Sequence, residues 1–177
     1  MSQLSCKCGE GMYKTDCPSE YSIYIYYESE VEKAIQENPS VSLVDFLTNW
    51  DTVHNCSKVY TDRKEPVEYW FCPSCKRVYE VQDIPRGRWL RIYNRVQFEN
   101  VCPNDFSTWK RIIVMTDVET DTATEKNYEI SLVEYLQCHN DNLYYLSPDE
   151  KKVFVINQLT SQVVYLYTLE DSWTSPS

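Results

Sequence analysis

Glycine is nearly absent from this chain. Only Gly9, Gly11 and Gly87 occur in 177 residues. A glycine-rich loop that cradles phosphate is therefore excluded, because such loops need several glycines close together. No apolar run approaches the length of a membrane span. Histidine is almost as scarce, with His54 and His139 alone, which leaves little material for acid–base catalysis. Basic residues are outnumbered, 17 against 27 acidic ones, for a net charge of −10. That balance disfavours a nucleic acid or an anionic membrane as a general partner and suits solubility or a basic partner.

What the chain does have is sulfur and tyrosine. Eight cysteines and fifteen tyrosines are present, and the tyrosines favour β-structure and interaction surfaces. The organising stretch is Tyr69-Trp70-Phe71-Cys72-Pro73-Ser74-Cys75-Lys76-Arg77-Val78-Tyr79. It reads as an aromatic strand, a Cys-x-x-Cys turn preset by Pro73, and an alternating strand leading out. A second pair, Cys6 and Cys8, stands near the N-terminus. In extended chain, side chains two residues apart share a face, so this pair can reach the same ion. Cys6, Cys8, Cys72 and Cys75 together make a four-thiolate set suited to one structural Zn2+.

Two disulfides, or a redox Cys-x-x-Cys, are the competing readings. No apolar signal segment precedes Cys6, so a cytoplasmic, reducing location is expected, where disulfides are rare. A redox pair would open a helix, whereas the residues after Cys75 alternate as a strand does. Exchange of one ligand for Cys17 remains the alternative within the zinc reading.

Short matches recur in the same order along the two halves. Cys17-Pro18-Ser19-Glu20-Tyr21-Ser22 returns as Cys102-Pro103-Asn104-Asp105-Phe106-Ser107, and Ser42-Leu43-Val44-Asp45-Phe46-Leu47 as Ser131-Leu132-Val133-Glu134-Tyr135-Leu136. Lys76-Arg77-Val78-Tyr79 matches Lys151-Lys152-Val153-Phe154, and Trp89 to Tyr93 matches Val163 to Tyr167. This pattern predicts an α+β fold of two related subdomains, an internal duplication. Residues 1–96 would form a zinc-knuckle repeat and residues 97–177 an acidic, thiol-poor one. Each is read as a strand, helical segments and a three-strand antiparallel sheet. In the second copy Ser147-Pro148-Asp149 stands where the knuckle would be, so the metal belongs to the first.

Catalysis has thin support. Cys56 with His54, or Cys138 with His139, could be imagined as a nucleophile and its base, but no catalytic context surrounds them. Lone cysteines are more often small buried hydrophobes, and Cys17 and Cys102 before proline read as packing or turn residues. Basic residues Lys76, Arg77, Arg86, Arg88, Arg91 and Arg95 follow the knuckle. Trp89, Arg91, Tyr93 and Arg95 alternate onto one face, which could stack and clamp nucleic acid. The favoured reading is a solvated sheet face, or basic residues that offset the negative thiolate–zinc centre and the acidic second half, since the molecule as a whole repels a polyanion.

Acid is concentrated in the second half. Residues 1–95 carry twelve basic and fourteen acidic groups, against five and thirteen in residues 96–177. Asp117, Glu119, Asp121, Glu125 and Glu129 read as an acidic loop. It is either simply solvated or a surface that grips a cationic partner. Calcium is a weak third option, since the loop lacks the glycine of an EF-hand.

The sequence Cys6-Lys7-Cys8-Gly9, then Cys17-Pro18, then Trp70 through Arg77 resembles small acidic bacterial proteins with a split zinc-ribbon-like site. These are similar to cognate immunity proteins of toxin systems in size, acidity and lack of catalytic motifs. The likeness spans Cys6 to Tyr93. It implies a non-enzymatic protein that binds and neutralises a basic toxin domain, with Asp117, Glu119, Asp121, Glu125 and Glu129 as the expected contact surface. A zinc-ribbon module associated with nucleic acid or transcription is the alternative, and a phage-encoded inhibitor or nucleic-acid mimic is the second. A metal-dependent enzyme would instead need an open zinc position.

Overall fold

The computed structural model describes residues 2–14, 18–48, 67–83, 88–96, 103–126, 129–139 and 141–172. Cys17, His54, Cys56, Arg86 and Cys102 lie outside the described residues. A small antiparallel hairpin opens the chain, with strands β1 (Ser2–Ser5) and β2 (Gly11–Lys14). Then come β3 (Ser22–Tyr27), helices α1 (Glu28–Glu37) and α2 (Leu43–Thr48), and strands β4 (Val67–Phe71), β5 (Val78–Asp83) and β6 (Arg88–Val96). The rest consists of β7 (Lys110–Thr116), α3 (Asp117–Lys126), α4 (Leu132–His139), β8 (Asn142–Leu146), β9 (Lys152–Asn157) and β10 (Val163–Ser172).

Strands β3 to β10 close into one eight-stranded barrel in the order β10-β6-β5-β4-β3-β7-β8-β9, and every pairing is antiparallel. The expected pair of α+β subdomains, each with its own sheet, is overturned. The physical reason lies at the strand edges. A four-stranded sheet from either half would leave two open edges, a liability that closure removes. It would also leave the inward residues Ile23, Ile25, Ile112 and Val114 facing water. The chain meets both demands by joining edge to edge.

The joins follow a regular rule. The order strand–helix–helix–strand–strand–strand occurs over β3–β6 and again over β7–β10, and the like-placed strands meet. Strand β3 pairs with β7, with Ile25 opposite Val114, and β6 pairs with β10, with Asn94 opposite Thr168. Between the helices, Ser42 and Ser131 form an isolated antiparallel bridge. The Leu43 N–H donates to Ile130 O and the Leu132 N–H to Val41 O, both at 2.9 Å. What recurs is the order of elements along the chain; the sheet is single.

Alternation along β3 and β7 explains why both faces of these strands are covered. One set of residues points into the barrel. The other set, Tyr26, Ile113 and Met115 among them, packs under the helices with Val31, Phe46, Leu132 and Tyr135. Phe46 is fully buried and its ring lies 5.2 Å from that of Tyr26. Hydroxyl caps start two of the helices: Ser42 Oγ accepts from Asp45 N at 3.0 Å and Ser131 Oγ from Glu134 N at 3.1 Å.

Two local expectations also change. The acidic stretch from Asp117 is helical through Lys126 rather than a loop, because Thr116 Oγ1 accepts from Glu119 N and the small residues Thr120 and Ala123 are buried. The C-terminal stretch from Glu170, whose sequence reads as a loose tail to Ser177, instead continues β10 as far as Ser172, where Glu170 and Asp171 find cationic partners. Among the described residues no helix is long and apolar enough to cross a membrane.

Candidate metal centre

Two hairpin turns face one another at this site. In the first, Cys6 N donates to Glu10 O at 2.8 Å and Gly9 N to Cys6 O at 2.9 Å. Gly9 carries a φ of 95°, a conformation that glycine adopts without a side-chain penalty. Cys6 and Cys8 thus sit in a tight turn between β1 and β2, not in the extended segment expected from their spacing. In the second turn, between β4 and β5, Cys72 N donates to Arg77 O at 2.9 Å and Lys76 N to Cys72 O at 2.8 Å. Lys76 holds the left-handed position there, with a φ of 65°.

The four expected ligands come together. The sulfurs of Cys6, Cys8, Cys72 and Cys75 all lie within 4.8 Å of one another and could hold a metal ion. Cys6 Sγ is 3.4 Å from Cys75 Sγ, and Cys8 Sγ is 3.7 Å from Cys72 Sγ. A tetrahedral centre with metal–sulfur bonds of about 2.3 Å has sulfur–sulfur edges of about 3.8 Å, so the set needs little adjustment to fit one. A disulfide would require about 2.05 Å, and all four thiols are free. The strand after Cys75, where a redox pair would start a helix, removes that alternative as well.

Hydrogen bonds to sulfur are already in place. Backbone N–H groups of Ser74 and Cys75 donate to Cys72, that of Arg77 to Cys75, and that of Cys8 to Cys6. Tyr79 Oη donates to Cys6 Sγ at 3.1 Å and accepts from Lys7 N at 2.9 Å. Burial pushes the Cys6 thiol up to about 12 and raises Cys72 also. Burial pushes on Cys75 as well, but the Arg77 backbone N–H and guanidinium bring it down to about 6. Four sulfurs this close do not all ionise unaided. A divalent cation held among them would supply the charge that lets them do so.

Beneath the turns lies an apolar bed of Leu4, Met12, Trp70, Tyr79 and Ile92, all buried. Above them, ion pairs strap both turns to the end of β10. Arg77 Nε donates to Glu170 at 2.7 Å and Lys7 Nζ reaches Asp171 at 3.0 Å and Glu170 at 3.5 Å. Tyr79 and this strap were not foreseen from the sequence. The signal available was Gly9 after Cys8, which marks a turn, and the acid pair at 170–171 in an otherwise apolar strand.

In the second half, Ser147 fills the place of Cys72. It is buried, and its Oγ donates to Asp149 at 2.6 Å and accepts from Lys151 N and Lys152 N. An oxygen organises that turn where sulfur organises the other.

The other candidate residues are dispersed. Glu119, Glu125 and Glu129 are exposed, while Asp117 and Asp121 are half-buried. Asp117 accepts from Ser19 N at 2.8 Å. Arg91, Tyr93 and Arg95 line the barrel interior, and Trp89 packs beside the thiol-bearing cluster. The face that a nucleic-acid platform would need therefore turns inward. Cys138 and His139 are exposed neighbours on α4, and His139 stacks on Tyr135 with Nδ1 3.0 Å from Tyr135 O.

No curated protein and no solved structure matches this chain. A family model does match residues 2–98, a span that holds all four thiols and ends just beyond β6. By that match, the chain belongs to the family described as a domain of unknown function, DUF8617.

Proposed function

We propose that this is a zinc-stapled binding protein without catalytic chemistry of its own, whose partner is a basic protein. In its most concrete form it is an immunity protein occluding a toxin domain. The observation that carries this reading is the completeness of the thiol set. A catalytic zinc has three protein ligands and keeps a position for water or substrate, whereas four facing thiolates make a closed, structural site. All-sulfur coordination also favours zinc over harder cations. The metal would fix β1–β2 against the β4–β5 hairpin, and its binding free energy would add to folding.

The acidic half supports a cationic partner. Glu119, Glu125 and Glu129 are exposed to solvent, available for steering and rim contacts. Asp117 is less suited, since its carboxylate already holds Ser19 N. The test is capture by the immobilised, metal-loaded chain from a lysate of its source, with partners identified by mass spectrometry. Glu119→Gln, Glu125→Gln and Glu129→Gln together serve as the comparison. A basic protein retained by the wild type, released by salt and weakly held by the triple variant is expected. Equal retention by both would remove these carboxylates from the interface. A cobalt-substituted sample lacking the spectrum of four-sulfur tetrahedral coordination would overturn the structural-site reading itself.

A further inference from the structure

The barrel encloses a cavity of about 260 Å³. Eight-stranded barrels have an interior that is either filled by side chains or able to hold one small ligand, and this one has room left. Its wall is largely apolar, from residues such as Ile25, Ile112, Val114 and Val155. Two arginines interrupt that wall, and they differ. Arg91 is ion-paired with Glu80 and also reaches Glu150 at 2.6 Å, so its charge is met. Arg95, about 13 Å further along β6, has no carboxylate among the described residues. Its guanidinium lies 3.6 Å from the centroid of the Tyr165 ring and donates to Tyr167 Oη at 3.1 and 3.2 Å.

We propose that the barrel interior binds a small amphipathic carboxylate, an aliphatic acid of about ten heavy atoms, with its carboxylate on Arg95. The size follows by proportion: an apolar protein cavity of about 150 Å³ takes benzene. The charge follows from Arg95, a cation set in an apolar wall with no carboxylate partner among the described residues, which a ligand carboxylate meets in bidentate fashion. Tyr167 Oη accepts from Arg95, so its own hydrogen is left to donate to a ligand oxygen. Tyr165 is 36% exposed, which places Arg95 toward a mouth of the barrel. The ligand's head group stays near water while its chain enters the apolar interior. Arg91 does not compete for the anion because Glu80 and Glu150 already hold it.

The test uses the metal-loaded full chain with octanoate and, as a neutral comparison, 1-octanol. Titration calorimetry gives affinities, and methyl NMR shows which residues the chain touches. Expected are octanoate binding with shifts at Ile25, Val114 and Val155 methyls, a tenfold or greater loss of affinity in Arg95→Gln, and partial recovery in Arg95→Lys. Octanol binding should be little changed by Arg95→Gln. Absence of octanoate binding, equal affinity in wild type and Arg95→Gln, or methyl shifts confined to the outer surface would each overturn the proposal. None of these outcomes bears on zinc or on a protein partner.

Discussion

Tyr79 and Cys6 are 73 positions apart in the chain, yet the phenol of one donates to the sulfur of the other across 3.1 Å. The same phenol oxygen receives the Lys7 N–H, so one side chain from the β4–β5 hairpin holds the β1–β2 turn of the candidate metal centre at two points. Hydrogen bonds to metal-bound thiolates tune their charge and orientation, and losing one such partner commonly weakens metal affinity 10- to 100-fold. Tyr79→Phe keeps the buried ring and removes only the hydroxyl. It should bind metal about tenfold more weakly in a chelator competition. Affinity equal to wild type would show that the bond contributes nothing to the ion.

Removing the metal should act locally before it acts globally. Trp70 is 1% exposed and rests in the cluster that carries Cys6 and Cys72. Chelation, or Cys72→Ser with Cys75→Ser, should lower Tm and redshift tryptophan fluorescence as that cluster loosens. The helices over β3 and β7 pack around Phe46 and Leu132 in a separate cluster, so helical circular dichroism should persist below the new Tm. Cys138→Ser is the control, since Cys138 is exposed on α4, outside the thiol set. A metal-free protein with unchanged Tm and fluorescence would mean that the turns hold without the ion.

The helix caps offer a test of the two-fold arrangement around Ser42 and Ser131. Each hydroxyl accepts one N–H at the start of its helix, and such a cap replaced by alanine costs about 1 kcal/mol. Ser42→Ala and Ser131→Ala should therefore destabilise similarly in denaturant melts, while glycine at either position costs only a few tenths. If only one substitution mattered, the two helix starts would not be energetically alike despite their matching geometry.

The four-cysteine cluster was legible in the sequence because sulfur chemistry is local: four cysteines in two short spacings name their own site. The strands were legible too, since Ile23, Ile25, Ile112 and Val114 alternate with their neighbours. Which edges would meet was not. Closure depends on β3 finding β7 and β6 finding β10, and nothing in the alternation of one strand specifies its neighbour. For the same reason Arg91, Tyr93 and Arg95 could be assigned to one face, but not to the inside of a barrel. Helix α3 was hidden by its composition, since its buried contacts are the small Thr120 and Ala123 rather than an apolar stripe.

Acid should weaken the barrel through Glu150. Its carboxylate lies against Arg91 at 2.6 Å and Lys110 at 3.7 Å, and the Arg91 hydrogen bond holds its pKa below the ordinary carboxylate value. In the unfolded chain the same group titrates near pH 4.3. A depressed folded pKa means the unfolded state takes up the proton first. The stabilisation is thus fully present above that pH and fades as the pH falls through the folded value. Both side chains of the pair are partly exposed, 28% and 31%, so solvent screening limits the contribution to about 1 kcal/mol. Glu150→Gln should accordingly be less stable than wild type at pH 7, with the gap closing toward pH 3 in parallel urea melts. A gap that stays constant across that range would assign the loss to packing of the turn rather than to charge.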